Sequence, residues 1–374
     1  MGRVTVGYQD GGFHPLWLLN VGMRAARLFG AESLWLPDHY MSFIPAQVWT
    51  PEITSAAEIV ESPSAFFDPM QMLAITAQKM RGVDVGTLVT EPLRRHPMTI
   101  AQSFVTLDHV SKGHAVLGIG NGERENVEPY GLPWNKQVSR LEEALTIIRL
   151  LWDNVGVPVS YEGQFWTLRD ALFALPLYDD KAPRIWIASH APRMLGLTGR
   201  FGDGWLPTLK VSGEVYRQRL DAILAAGAEA GRDMHHFVPC QAAICAIGES
   251  RDQMIEAALG SRLGAALAML LPAEAWREQG IGHPLGENHK GFIDIVPTRV
   301  TDDQIDQAAR TVTAELLETS FFAGSPAEIR DQLAPLAHAG ARHIIVSNVG
   351  AALTGASPRD MLRLASLIRK LRRL

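Results

Sequence analysis

Asp38 and His39 stand side by side where the apolar run Ser33–Leu36 ends, in the stretch S-L-W-L-P-D-H. A carboxylate and an imidazole at a strand terminus are poorly placed for packing and well placed for chemistry. The imidazole titrates near neutrality and can donate or accept a proton at working pH. The plainer use of the same residues is a turn cap by Asp38 and a satisfied niche for His39, and the two residues alone leave both readings open. A second candidate is G-I-G-N-G-E, with Gly118, Gly120 and Gly122 leading to Glu123. It is not a dinucleotide fingerprint, because Glu123 holds the place of the third glycine and no acidic residue follows a second strand at the right distance. It suits a rim that lets a flat ring approach the backbone, and equally a tight turn that needs glycine dihedrals. The third is A-S-H-A, Ala188, Ser189, His190 and Ala191, between a strand and a helix. Small residues there offer backbone N–H groups to an anion, while Ser189 as an ordinary helix cap is the alternative.

Other chemistries lack their residues. The twelve histidines show no metal-ligand spacing, no C-x-x-C exists, and G-x-S-x-G is absent, so neither a metal site nor a serine hydrolase elbow is expected. His96, His109 and His114 fall in helical or helix-end contexts and read as structural, and Met70, Met72 and Met80 as core. The formal net charge of -5 argues against a nucleic-acid partner, and the basic run 369–373 closes an amphipathic helix, where cations suit the dipole. The N-terminal residues M-G-R-V-T-V-G-Y carry no apolar leader, and no apolar stretch is long enough to span a membrane. Cys240 and Cys245 lie at odd spacing in one expected strand, so they face opposite ways. That disfavours a disulfide and fits a reducing, cytoplasmic setting.

The elements that must position these residues alternate. Eight expected strands, near residues 6, 35, 86, 117, 186, 205, 242 and 345, are each followed by a helix. This pattern indicates an α/β fold, a (β/α)8 TIM barrel formed by one domain over residues 1–374, in preference to a doubly wound open sheet with a phosphate loop after its first strand. Insertions are expected near 40–67, 156–181 and 260–318. The second should hold a small hairpin of 159–161 with 165–167. The third contains H-P-L-G-E-N-H-K-G, where His283, Lys290 and Arg299 are candidates for a lid or for a charged surface loop. In a barrel the active site lies at the C-terminal ends of the strands. Those ends carry Asp10, then Asp38 and His39, then residues 87–90 with Glu91, then Asn121 and Glu123, then Ser189 and His190, and finally Pro207 and Thr208.

Several stretches together resemble a family. S-L-W-L-P-D-H, G-T-L-V-T, R-R-H-P-M-T-I-A-Q-S-F-V-T-L-D, G-H-A-V-L-G-I-G-N-G-E-R-E-N and I-W-I-A-S-H-A-P-R-M-L-G-L-T-G-R-F-G-D-G-W are similar to the luciferase-like oxidoreductases, in the branch that uses the deazaflavin coenzyme F420. N-G-E-R-E-N-V-E-P-Y-G and D-I-V-P resemble the phthiodiolone and hydroxymycolate ketoreductase type within it. The resemblance implies hydride transfer between reduced F420 and a carbonyl or secondary alcohol, in a homodimer. By position it implies that Asp38 bonds the deazaflavin, that His39 is the acid/base, and that Glu123 is a second proton-handling residue. Thr87-Leu88 would be a non-prolyl cis peptide behind the ring, Thr90 would touch the ring edge, and Asn126 would orient the cofactor. Ala188, Ser189, His190 and Ala191 would receive its phosphate. One departure stands out: sugar-phosphate dehydrogenases of this branch carry a Trp soon after the Asp-His pair, and here the run is Y-M-S-F-I-P-A with Phe43 and Ile44. That favours an apolar, lipid-like small molecule, with Trp49, Phe66 and Phe67 either lining its pocket or packing the insertion. The rivals are an FMN-dependent monooxygenase of the same fold and a barrel that only binds a flavin-like ligand.

Overall fold

The structure, a computed structural model, describes residues 3–374; Met1 and Gly2, at the head of the N-terminus expected to carry no leader, lie outside it. The strands are β1 (Thr5–Gln9), β2 (Ser33–Leu36), β3 (Asp84–Thr87), β4 (Ala115–Ile119), β5 (Val159–Glu162), β6 (Thr167–Ala171), β7 (Arg184–Ile187), β8 (Gly204–Trp205), β9 (Val238–Ile247), β10 (Phe322–Gly324) and β11 (His343–Asn348). Leaving aside the β5–β6 hairpin and β10, the ring runs β1-β2-β3-β4-β7-β8-β9-β11 and back to β1, every neighbour parallel. It is the expected (β/α)8 barrel.

The strands read as near-continuous apolar runs because both their faces are covered. All four residues of β2 and all five of β4 are buried. Inside the ring, Trp35 and Trp186 stack with centroids 5.1 Å apart, among Val116, Leu206, Cys240, Ala242 and Ile345. Glycines on the neighbouring strands leave room for these indoles. A Cβ on Gly86 would come within 2.7 Å of the Trp35 ring, and one on Gly204 within 2.7 Å of the Trp186 ring. Outside the ring, Leu34, Leu36, Leu117, Ile119 and Ile185 meet helix residues such as Leu73, Phe104, Leu145 and Ile148. Helix ends are set by local chemistry. Asp68 caps Pro69–Lys79, Gly30 closes Trp17–Phe29 at φ 77°, and Ser325 with Glu328 forms a capping box on Pro326–His338. His96 likewise caps Pro97–Ser111, while His109 and His114 bond Pro176 and Asp84, in keeping with their structural reading.

Three details differ from the sequence reading. The hairpin's second strand is Thr167–Ala171 rather than 165–167, because Glu143 gathers the backbone N–H groups of Gln164, Phe165 and Trp166 into the turn. β10 has no counterpart among the eight expected strands. The ten-residue β9 outruns the two-residue β8, and β10 pairs with its far end at Cys245–Ile247. The cis peptide is Leu88–Val89, one bond later than Thr87-Leu88. Leu88 N still donates to Leu36 O at 2.8 Å, so the strand ladder holds through residue 88 and the irregular link follows it.

Residues 262–320 form helices Arg262–Ala268, Ala273–Glu278, Asp302–Thr311 and Ala314–Ser320 around buried Trp276, Ile305 and Leu317. Among the described residues, no helix is long and apolar enough to cross a membrane, and no group of acidic, His or Cys side chains could hold a metal ion.

Candidate active site

The C-terminal ends of β2, β3 and β4 bring the expected residues together. Asp38, His39, Thr90, Glu123 and Asn126 lie in one cluster, joined by three residues that the sequence reading did not assign as site residues: Arg94, Arg95 and Glu125. At its base is a buried ion network. Asp38 Oδ2 accepts from Thr90 Oγ1 at 2.6 Å and from Arg95 Nε at 2.9 Å, while Asp38 Oδ1 lies 3.1 Å from Arg95 Nη2 and 3.4 Å from Arg94 Nη1. Arg94 also donates through Nη2 to the Asp38 carbonyl at 2.6 Å, pairs through Nε with the buried Glu91, and lies 4.6 Å below the Tyr40 ring. Burial works to raise the Asp38 carboxyl, but the guanidinium of Arg94, then Arg95 and the Thr90 hydroxyl, hold it below the usual carboxylate range. The groups of Asp38 and Thr90 expected to meet a cofactor are thus satisfied within the protein.

Above this base the acids are unmatched. Burial, then the neighbouring Glu125, pushes the Glu123 carboxyl up to about 7. Burial drives Glu125, fully enclosed, well above the usual range, and its Oε2 has no hydrogen-bond partner. Burial also pushes the His39 imidazole down, against the pull of the Glu123 charge. Asn126 ties the cluster together: Oδ1 accepts from Tyr40 N at 2.7 Å, and Nδ2 lies 2.7 Å from His39 Nδ1 and 3.0 Å from Glu125 Oε1. Asn126 therefore orients His39. Apolar rings surround the imidazole, with Phe43 at 5.0 Å and Phe66 at 5.6 Å, and Phe292 from the third insertion stacks on Phe43 at 5.9 Å. Trp49 donates instead to Val60 O within the first insertion, and Phe67 lies beside His14.

Next to this cluster is an apolar floor. Leu88, Val89 and Ala188 lie on the Trp35–Trp186 core, and Gly120 adjoins them, where an added Cβ would sit 3.0 Å from Val89 Cγ2 and 3.7 Å from Ala188 Cβ. Gly118 admits the Thr87 carbonyl, and Thr87 Oγ1 returns a bond to Gly118 O at 2.7 Å. Beyond the floor, Ser189 Oγ is taken by Thr198 Oγ1 at 2.8 Å. His190 lies 3.2 Å from the Thr208 hydroxyl, its buried Nδ1 has no partner, and burial lowers its pKa to about 4. Ala191 begins helix Pro192–Phe201 with no side-chain cap. Asp10, also expected at a strand end, turns inward, accepts from Gly12 N at 2.9 Å, and lies against Gly22 of the first helix.

The third insertion is pinned to the Glu123 loop. Arg124 pairs with Asp294 at 2.9 Å and Arg299 with Glu128 at 2.8 Å. His283 is buried and stacks between Trp276 and His289 rather than lying on a surface loop. Arg94, Arg95 and Glu125 all stand in the stretches T-E-P-L-R-R and N-G-E-R-E-N. The signal for Arg94 and Arg95 was an adjacent pair of arginines shortly after a strand end that also carries a glutamate.

A sequence profile of the family described as luciferase-like monooxygenase matches residues 22–343. The chain is similar to a phthiodiolone/phenolphthiodiolone dimycocerosates ketoreductase of Mycobacterium kansasii, 38% identical over 338 residues that cover 90% of this chain and 92% of that protein. Its fold is similar to that of an F420-dependent secondary alcohol dehydrogenase in complex with an F420-acetone adduct, with a TM-score of 0.75, 18% identity and 99% of each chain covered. It is also similar in fold to the coenzyme F420 dependent tetrahydromethanopterin reductase from Methanopyrus kandleri, with a TM-score of 0.73, 20% identity, and 99% of this chain and 98% of that chain covered.

Proposed function

Because this chain belongs to the luciferase-like family, we propose that it is an F420-dependent oxidoreductase that interconverts a carbonyl and a secondary alcohol on a fairly apolar, lipid-like substrate. The observation that carries this reading is the pairing of an apolar floor with two proton-handling groups, His39 and Glu123, at one end of the barrel. The residues present suit a deazaflavin. The half-buried Val89 and Ala188, beside the buried Leu88 and Gly120, offer an apolar surface. The uncapped N–H groups at Ala191 and the unpartnered His190 Nδ1 suit an anionic tail. When bound, F420 supplies or accepts the hydride, and the protein provides orientation and proton transfer.

Reduction of a ketone adds a hydride at carbon and a proton at oxygen. The chain's own work is the proton. Glu123, with its carboxyl near 7, is part protonated at neutral pH and suited to give a proton in one direction and take it back in the other. His39 hydrogen-bonds the same oxygen. Asp38 acts from below, fixing Arg94, Arg95 and Thr90 and thereby the backbone that carries His39. The rings of Phe43, Phe66 and Phe292 line the substrate side and exclude water, which supports an apolar substrate. The name of the ketoreductase relative supports the reaction type.

The test is an anaerobic titration with F420, FMN and NADPH followed by absorbance, with ketone reduction assayed on the complex. F420 binding, and loss of turnover in both Glu123→Gln and His39→Ala at saturating cofactor, are expected. Tight FMN binding without F420 binding moves the chain to the FMN monooxygenase reading. Turnover intact in both variants removes the proton-handling assignment.

A further inference from the structure

We propose that Glu125 is a positioning residue which, as a neutral carboxylic acid and together with Asn126, holds His39 in the tautomer that carries its proton on Nε2. The Asn126 amide decides the first step. Its oxygen accepts from the backbone N–H groups of Tyr40 at 2.7 Å and Met41 at 3.3 Å, which fixes Nδ2 as the end 2.7 Å from His39 Nδ1. An amide NH2 only donates, so Nδ1 must present its lone pair, and the neutral ring keeps its proton on Nε2.

Glu125 Oε1 lies 3.3 Å from that same Nδ1. An ionised oxygen would set a negative charge against the imidazole lone pair in an enclosed space, whereas a carboxylic acid O–H can donate to it. Burial dominates at Glu125 and outweighs charges that act in both directions, Arg94 lowering its carboxyl and Glu91 raising it. The facing groups are Glu91 and Arg94 from the β3 loop, His39 from the end of β2, and Glu123, Asn126 and Tyr130 from its own loop. Arg94 and Arg95 are already matched by Glu91 and Asp38. Neither forms an ion pair with Glu125, on which Arg94 acts only from a distance, and its Oε2 has no partner. The upward push of burial on Glu125 and the downward push on His39 agree with this arrangement.

The consequence, which rests on the proposed reaction, is a division of labour. With Nδ1 occupied by two donors, His39 is a fixed Nε2–H donor that polarises a carbonyl oxygen, and Glu123 supplies the proton. A neutral imidazole serving as the electrophile is a known solution to carbonyl chemistry.

The experiment reads the imidazole directly, by 15N-resolved histidine spectra of the cofactor-free protein with wild-type Glu125, Glu125→Gln and Glu125→Leu. Between about pH 6 and about pH 8, wild type is expected to show His39 with Nδ1 bare and Nε2 protonated. Glu125→Gln, which carries no charge at any pH, keeps that tautomer because Asn126 still donates to Nδ1. Glu125→Leu keeps the tautomer that Asn126 imposes, but its bare Nδ1 resonance moves downfield with the loss of the second donor, and its ketone turnover falls about tenfold below wild type, the cost of one lost hydrogen bond. An imidazolium at neutral pH in wild type overturns the proposal. So does a fall of about one unit in the His39 midpoint in Glu125→Gln, which would show that an ionised Glu125 had been removed. Should Glu125→Leu fail to fold, the wild-type and Glu125→Gln spectra decide the matter alone. Because no cofactor is present in the spectra, failure of the F420 titration leaves this result standing.

Discussion

Glu123→Gln should stabilise the fold at high pH while slowing the reaction severely. The Glu123 carboxyl is pushed from an ordinary 4.5 to about 7, by burial first and then by Glu125. Between those values the folded chain holds a proton that the unfolded chain has released. The unfolded state therefore binds fewer protons in this window, and stability falls as pH rises through it. Below about pH 4.5 both states are protonated and Glu123 costs nothing; above about 7 the penalty is complete. A rise of about 2.5 units at ~1.36 kcal/mol per unit sets an upper bound of about 3 kcal/mol. The amide of glutamine has nearly the same shape and never ionises, so the variant escapes this penalty.

The assay is the denaturant midpoint of wild type and Glu123→Gln at a series of pH values. The curves should meet below about pH 4.5 and diverge above it until the variant leads by up to about 3 kcal/mol at pH 8.5. Ketone reduction by the variant should fall by roughly 10²–10⁴. Wild-type reduction should weaken above about pH 7 as Glu123 loses its proton, with alcohol oxidation gaining over the same range. A stability difference that does not change with pH, or a variant less stable than wild type at pH 8.5, refutes the reasoning.

Arg94→Met should leave Asp38 and Glu91 facing each other without their shared guanidinium. Breaking one side of a buried ion network costs roughly 3–5 kcal/mol, and the check is a large drop in thermal midpoint at pH 7 that narrows on acidification. Gly118→Ala should disrupt the floor, because its Cβ would land on the Thr87 carbonyl oxygen. Overpacking of this kind costs about 1–3 kcal/mol, and cofactor affinity should fall further than stability does, which a parallel titration and melt would show.

The barrel was legible because each repeat is written locally. An apolar run, a polar strand end and a helix with its cap recur along the chain, and a parallel sheet needs both faces of every strand apolar. The cluster of strand-end residues followed from that geometry. What escaped was partnership through space. Asp38 and Thr90 stand at the active face as expected, yet nothing local says that Arg95, 57 residues after Asp38, occupies that carboxylate. Nor does anything local say that Thr198, on the following helix, bonds the Ser189 hydroxyl. β10 was hidden for a similar reason. Phe322–Gly324 is too short to declare itself, and it exists as a strand only because β9 extends past its barrel partners.

Glu123 and Glu125 are close in the chain and share one enclosed space with Glu91 and Asp38, which have matching arginines. Two guanidiniums cannot neutralise four carboxylates, so the set must divide. The pair nearest Arg94 and Arg95 takes the charge and becomes framework. The pair on the 123–125 loop is left to hold protons, Glu125 fully enclosed and Glu123 partly open to the site. In the proposed reaction the partly open acid exchanges its proton with substrate, while the enclosed one orients what it touches. The arginines thus do more than anchor Asp38: by fixing which acids are ionised, they leave Glu123 as the carboxyl poised near neutrality. Any change that brings a third cation to this cluster should therefore lower the Glu123 carboxyl and shift the pH limb of reduction downward with it.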